Sequence, residues 1–279
     1  MAVRIDGKRI SKEIKEELKE EVKQFKEKGK HICLAVIQVG EDPASTVYVN
    51  NKKKACAYIG IESQSYELSE STTEEELVDL VKSLNNSSNV NGILVQLPLP
   101  KHINEDRIIR TISPEKDVDG FHPTSVGRLW IGEKGFLSCT PAGIIQLLKR
   151  SDISIEGKEC VIVGRSNIVG KPMAALLLRE NGTVTVAHSR TKNLKEITKR
   201  ADILIVAIGK RQFITSEYVK DGAVVIDVGM HRDEEGHLCG DVDFADVEPK
   251  VSAITPVPGG VGPMTIAMLM NNCVETVRR

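Results

Sequence analysis

Glu159-Cys-Val-Ile-Val-Gly-Arg-Ser-Asn-Ile-Val-Gly170, followed by Lys171-Pro172, is the stretch that decides the fold. Its first five residues read as a buried strand. Gly164 allows a tight turn, and Gly170 lets a helix approach that strand closely. Lys171-Pro172 then opens a helix whose free N–H groups suit a pyrophosphate. The spacing departs from the common G-x-G-x-x-G fingerprint: Ser166 stands where the middle glycine would be, and the last glycine comes one residue late. A plain αβ turn is the competing reading. The order strand, turn, helix favours the phosphate-binding turn of a dinucleotide-binding domain, and hence a nicotinamide cofactor.

Downstream, the strand Thr183–Ala187 runs into His188-Ser189-Arg190. An NAD site places an acidic residue ~20 positions past the glycines to grip the ribose 2′-hydroxyl. None stands here. Ser189 can donate a hydrogen bond, and Arg190 and Arg165 are cationic, which suits a 2′-phosphate and NADP. A solvated strand end would carry the same residues. Further strands are expected at 202–207 and 223–228. Residues 254–263 are too rich in Pro and Gly for a helix or a central strand. An apolar helix runs from Met264 to about Val277. Upstream, Thr140-Pro141 reads as an N-cap followed by Pro at the first helical position.

The first half alternates in the same way. Ile14, Leu18, Val22 and Phe25 lie at helical spacing in 12–28, Ile32–Val39 is a strand covered on both faces, and 44–58 is helical. Ile61–Leu68 is a strand, 73–84 a helix, Gly92–Leu97 a buried strand and 105–112 a helix. Residues 113–139 break this rhythm and read as a domain junction. Strands alternating with helices imply parallel βαβ units. The expected fold is therefore α/β with two domains: 1–139, completed by the helix at 264–279, and a Rossmann-like 140–263.

A net charge of -1 leaves no electrostatic footprint for nucleic acid or an acidic membrane. No apolar run is long enough to span a bilayer, and no targeting segment is visible at the start. The six cysteines are far apart, with no C-x-x-C pair and no His at ligand spacing. That speaks against a metal centre or a disulfide framework and fits a reducing, cytoplasmic setting.

Candidate chemistry lies in the first half. Ser45, Tyr48 and Lys52 share one face of the predicted 44–58 helix. Lys53 and Lys54 read as solvated charge. Lys52 differs, because an aromatic ring beside its ammonium can form the wall and the catalytic group of one pocket. Gln96 sits in an apolar run at the carboxyl end of its strand, where parallel sheets place ligands. Asp117-Val-Asp-Gly120 is a turn signal. Asp119 could hold a ligand N–H pair, or merely order its own turn. The Gly259-Gly260-Val-Gly262 loop suggests close backbone approach to a ligand, or a plain turn.

Taken together, Tyr48-Val-Asn-Asn-Lys52, Gly92-Ile-Leu-Val-Gln-Leu-Pro-Leu-Pro100, Pro114-Glu-Lys-Asp-Val-Asp-Gly120, Gly164-Arg-Ser-Asn-Ile-Val-Gly170 and Pro258-Gly-Gly-Val-Gly-Pro-Met-Thr265 resemble the bifunctional methylenetetrahydrofolate dehydrogenase/methenyltetrahydrofolate cyclohydrolases over essentially the whole chain. The resemblance implies a folate in a cleft between two lobes, stacked on Tyr48, its pterin edge held by Asp119, with Lys52 near the reacting carbon and Gln96 bonded to that lysine. Leu97, Pro258, Gly259 and Gly260 would line the substrate. Gly164, Arg165, Ser166, Ser189 and Met230 would contact NADP, with no metal. It also implies a homodimer, tetrahydrofolate derivatives as substrates, and a place in the one-carbon metabolism that feeds purine biosynthesis. Tyr48-x-x-x-Lys52 mimics the pair of short-chain dehydrogenases. There, however, the pair follows the nucleotide turn, whereas here it precedes it by more than a hundred residues.

Overall fold

The computed structural model describes residues 2–278, and the backbone alone at 43 and 44. The chain divides into two compact units, Met1–Ser11 with Ser138–Thr265, and Lys12–Leu137 with Ile266–Arg279. Strand β1 (Val3–Arg4) and helix α1 (Gly7–Glu27) open it. Ile10, Ile14, Leu18 and Val22 form the buried stripe of α1. The helix starts five residues before the expected 12, because the Asp6 carboxylate accepts the Arg9 amide (3.0 Å) and caps the first turn.

The Lys12–Leu137 unit is built on a three-stranded parallel sheet. Its strands are β2 (Cys33–Val39), β3 (Glu62–Leu68) and β4 (Gly92–Val95), in the order β3-β2-β4. Every residue of β2 is buried, including Gln38, the one polar break in its apolar run, whose Nε2 donates to Gly40 O (3.1 Å) and Thr46 Oγ1 (3.0 Å). Helix α2 (Pro43–Ile59) follows β2. Helix α3 (Glu74–Asn86) is fixed by a capping box between Thr73 and Glu76. Ala35, Ile37, Leu77, Val81, Ile93 and Ile108 lie in one core cluster. Burying each large aliphatic there contributes about 1.5–3 kcal/mol before entropy is counted. β4 ends at Val95 instead of the expected Leu97, since Pro98 has no N–H to extend the ladder. Helix α4 (Glu105–Thr111) is where the periodicity puts it. Helix α5 (Pro123–Ile131) is not: it stands inside the supposed junction, with His122 as N-cap and Pro123 in its first turn.

In the other unit, helix α6 (Cys139–Lys149) is preceded by Ser138, so Thr140 lies inside the helix instead of capping it. Then come β5 (Glu159–Val163), α7 (Gly170–Arg179), β6 (Thr183–Ala187), α8 (Leu194–Thr198), β7 (Ile203–Val206) and β8 (Val224–Asp227). A small antiparallel pair, β9 (His231–Arg232) and β10 (Leu238–Cys239), leads to α9 (Phe244–Val247), β11 (Ala253–Ile254) and α10 (Val261–Arg278). The six-stranded sheet runs β1-β11-β8-β7-β5-β6, with all neighbours parallel. The chain leaves β5 for β6 on one side and returns to β7 on the other. That reversal makes the carboxyl ends of β5 and β7 a topological switch point. Two features depart from the sequence reading. Ile254 belongs to an interior strand, because the pairing is completed before Pro256 is reached. The residues of β1 join this sheet through β11, and not the first-half sheet.

Candidate active site

Two groups of candidate residues assemble, one in each unit. In the Lys12–Leu137 unit, α2 turns Ser45, Val49, Lys52, Cys56 and Ile59 inward at helical spacing, with Tyr48 half-buried on the same side. Lys53 reaches Glu67 on the surface (2.8 Å) and Lys54 is exposed. Lys52 is the buried member of the run. Its Nζ donates to Gln96 Oε1 at 2.9 Å. Gln96 lies one residue past β4. Its amide still bonds Ile37 O (2.8 Å), and its Nε2 donates to Leu97 O (2.5 Å). The carboxamide is therefore fixed at both ends, which answers the demand that a buried polar group be satisfied.

The Asp117–Gly120 turn supplies the carboxylate. The Ile93 amide bonds Lys116 O (2.8 Å), and a Cβ at Gly92 would sit 2.5 Å from Val118, so this turn is pressed onto β4. Its two acids divide the work. Asp117 accepts the amides of Phe121 (3.2 Å) and His122 (2.8 Å) and the Ser125 hydroxyl (2.7 Å), which makes it the residue that orders the turn. Burial pushes its carboxyl up to about 6. Burial also raises Asp119, against a lowering pull from the Lys52 ammonium. Tyr48 is likewise raised by burial. An ammonium, an amide, a carboxylate and a phenol ring thus share one polar site at the carboxyl end of a parallel sheet.

In the Ser138–Thr265 unit, every sequence-picked residue follows a strand of one sheet. Gly164–Ser166 follow β5, Ser189 follows β6, Met230 follows β8 and Pro258–Gly260 follow β11. Gly164 has φ +138°, and a Cβ there would lie 2.2 Å from Ala207 O, so only glycine fits. A Cβ on Gly170 would meet Gly164 O at 2.3 Å. The Ser166 hydroxyl oxygen accepts the amides of Val169 (3.1 Å) and Gly170 (3.3 Å), holding the start of α7. Arg165, Ser189 and Arg190 are exposed. The glycine loop also meets another stretch of backbone closely. A Cβ on Gly7 would lie 1.8 Å from Gly260 O, and the Lys8 amide bonds Gly259 O (3.1 Å). The close backbone approach it allows is to the start of α1.

The sequence reading passed over Asp241. Fully buried, it accepts three consecutive amides, Ile208 (2.7 Å), Gly209 (3.1 Å) and Lys210 (2.8 Å), together with His231 Nε2 (2.8 Å). This shapes the loop after β7, at the switch point. Its neighbour Asp227 accepts the amides of Gly229, Asp241 and Val242, and burial pushes its carboxyl up to about 6. The one local signal is the glycines: a Cβ on Gly229 or Gly240 would collide with these carboxylates.

These motifs recur in known proteins. Residues 5–119 match the model of the tetrahydrofolate dehydrogenase/cyclohydrolase catalytic domain, and residues 138–279 match that of its NAD(P)-binding domain. The chain belongs to the tetrahydrofolate dehydrogenase/cyclohydrolase family. It is 75% identical to the bifunctional protein FolD of Lachnoclostridium phytofermentans, over all of this chain and 99% of that one. Among solved members of the family, the Campylobacter jejuni FolD methylenetetrahydrofolate dehydrogenase/cyclohydrolase is 53% identical, with a TM-score of 0.98, covering 100% of this chain and 99% of that one. The Trypanosoma brucei enzyme, solved with NADP cofactor and inhibitor, is 40% identical with a TM-score of 0.95, covering 100% and 98%. Among the described residues, no helix is long and apolar enough to cross a membrane.

Proposed function

We propose that this chain oxidises 5,10-methylenetetrahydrofolate to 5,10-methenyltetrahydrofolate with NADP, then hydrolyses the product to 10-formyltetrahydrofolate. The observation that carries this reading is the 2.9 Å Lys52–Gln96 pair, electrostatically coupled to Asp119. The Lys12–Leu137 unit binds folate and does the chemistry, and the Ser138–Thr265 unit binds NADP.

The methylene carbon lies between two nitrogens whose lone pairs stabilise the cation left behind on oxidation. That step therefore needs placement more than it needs a base. When bound, NADP accepts the departing hydride. Tyr48 offers a ring face for the pterin, and Asp119 carboxylate oxygens that accept from two adjacent N–H groups. Leu97, next to Gln96 in the chain, borders the folate. In hydrolysis, Lys52 positions or deprotonates the attacking water. Gln96 Oε1 holds one Nζ hydrogen and so fixes where the amine points.

The first turn fits NADP on geometry. Gly164 lets the chain turn tightly against Ala207 O, Ser166 closes the start of α7, and Arg165 and Ser189 are exposed and able to meet a 2′-phosphate. Met230 follows β8 beside the same sheet end. The strand end after β6 reads His188-Ser189-Arg190 and carries no acidic residue to repel a 2′-phosphate. We further place the protein in the cytoplasm as a homodimer acting on folates, with no nucleic-acid partner, in the one-carbon supply to purine biosynthesis. Six cysteines, none of them in a disulfide, support the cytoplasmic part.

The test is an assay of purified protein with 5,10-methylenetetrahydrofolate and either NADP or NAD, following reduced cofactor and the methenyl species together. Faster reduction of NADP, with the methenyl species consumed afterwards, is the expected result. No reduced cofactor with either nucleotide would overturn the dehydrogenase.

A further inference from the structure

At the amino end of the three-stranded sheet, the strand pleat and register bring three different donors together. His31 stands two residues before Cys33, so both side chains fall on one face of the β2 line. Cys33 pairs in register with Glu62 of β3. The imidazole, thiol and carboxylate donor atoms all lie within 4.8 Å of one another, and His31 Nε2 is 3.1 Å from Glu62 Oε2. Gln96 follows the opposite, carboxyl end of the same sheet, so the cluster is separate from the proposed catalytic site.

We propose that His31, Cys33 and Glu62 form a three-ligand site for a divalent metal ion of the zinc class. One imidazole, one thiolate and one carboxylate are a donor set that zinc accepts, and three protein ligands leave a fourth position for water. Tetrahedral coordination at about 2.0–2.3 Å puts donors roughly 3.5 Å apart, so modest side-chain adjustment closes the present triangle. The surroundings already hold it. Glu62 Oε1 accepts from Gln64 Nε2 (3.2 Å), and Gln64 Oε1 accepts from the Tyr66 hydroxyl (3.1 Å), leaving Oε2 toward His31. Such outer contacts fix ligand orientation. The Cys33 amide bonds Asn91 Oδ1 (2.8 Å), and Cys33 O accepts the Asn91 amide (2.9 Å), pinning the thiol's backbone. Burial, with Glu62 nearby, pushes the Cys33 thiol up to about 11. A bound dication reverses that bias, and the displaced thiol proton goes to solvent. The sequence reading found no histidine at ligand spacing, and His31-x-Cys33 becomes a candidate only once the register of β3 brings Glu62 beside it.

Titration of the full-length protein with Co2+ tests this. The expected result is one equivalent bound with a thiolate-to-cobalt charge-transfer absorption that Zn2+ abolishes. Cys33→Ser should remove that absorption. His31→Ala and Glu62→Gln change exposed side chains, leave the core intact, and should each weaken Co2+ binding at least tenfold. Absence of the absorption overturns the proposal, as does its survival in Cys33→Ser. Unchanged affinity in both His31→Ala and Glu62→Gln overturns it too, and those two variants decide the matter if Cys33→Ser does not fold.

Discussion

The Lys52–Gln96–Asp119 group and the Gly164–Gly170 turn stand at equivalent places, the carboxyl ends of parallel strands, yet they are made of opposite materials. The first is built from side chains: a buried ammonium, a carboxamide bonded at both ends, and a carboxylate on a turn that Asp117 ties down. The second is built from backbone, with glycines where a Cβ would collide and its charged side chains left in solvent. The difference teaches where each kind of substitution hurts. Chemistry is lost by changing a functional group, and cofactor binding by adding an atom.

Lys52→Met should break the first region hardest. Losing a positioned acid/base costs about 10²–10⁴-fold, so hydrolysis of the methenyl species should fall by that range while NADP reduction drops far less. Separate assays of the two steps read this, and equal, small losses would remove the role given to Lys52. Gly164→Ala tests the second region. Its Cβ would meet Ala207 O at 2.2 Å, at a φ of +138°. NADP affinity should fall about 100-fold, roughly 2.7 kcal/mol, with folate affinity unchanged. Unaltered NADP titrations would show that the turn tolerates filling.

The two regions share one device, a buried aspartate whose carboxyl is pushed up to about 6: Asp117 under the folate site and Asp227 beside the cofactor sheet. In the unfolded chain such groups titrate near 3.9. Between those values the folded state keeps a proton that the unfolded state has lost. The associated stability is fully present below about pH 4 and disappears as pH rises through about 6, a change of about 2–3 kcal/mol per carboxyl. Thermal melts of wild type and Asp117→Asn from pH 4 to 7 should therefore diverge, with wild type losing more. Parallel curves would contradict the shift. The smallest effect expected is at Arg165, an exposed cation. Arg165→Ala should lower the preference for NADP over NAD about tenfold, or 1.4 kcal/mol, and an unchanged ratio would move the 2′-phosphate contact to Ser189 or Arg190.

Local chemistry explains what the sequence disclosed. β2 and β5 announce themselves because a strand buried on both faces must be largely apolar, with only Gln38 and the exposed first residue Glu159 polar. The turn after β5 is legible because glycine is forced there by its neighbours. Tyr48 and Lys52 share a helix face by periodicity alone. Their meeting with Gln96 and Asp119 needed the family likeness, since it depends on strand order and on the docking of 116–120 against β4. Helix α5 hid behind Pro and Gly, although Pro123 in its first turn is itself a start signal. Asp241 was invisible because its partners at 208–210 are backbone amides, which every sequence possesses. The His31–Cys33–Glu62 cluster was hidden for a related reason, as Glu62 arrives only through the register of β3 against β2.

The pairing of Val3 with Ala253 joins positions 250 apart in the chain. On the ribosome, β1 emerges 250 residues before the strand it pairs with. At about 5–20 residues per second it waits on the order of 10–50 seconds for its partner. Well within that interval β2, β3 and β4 have all emerged and can complete their sheet, while the six-stranded sheet still lacks β11, the strand that links β8 to β1. Strand β1 is thus a late-closing edge: its sequence is read long before β11 exists to complete its structure.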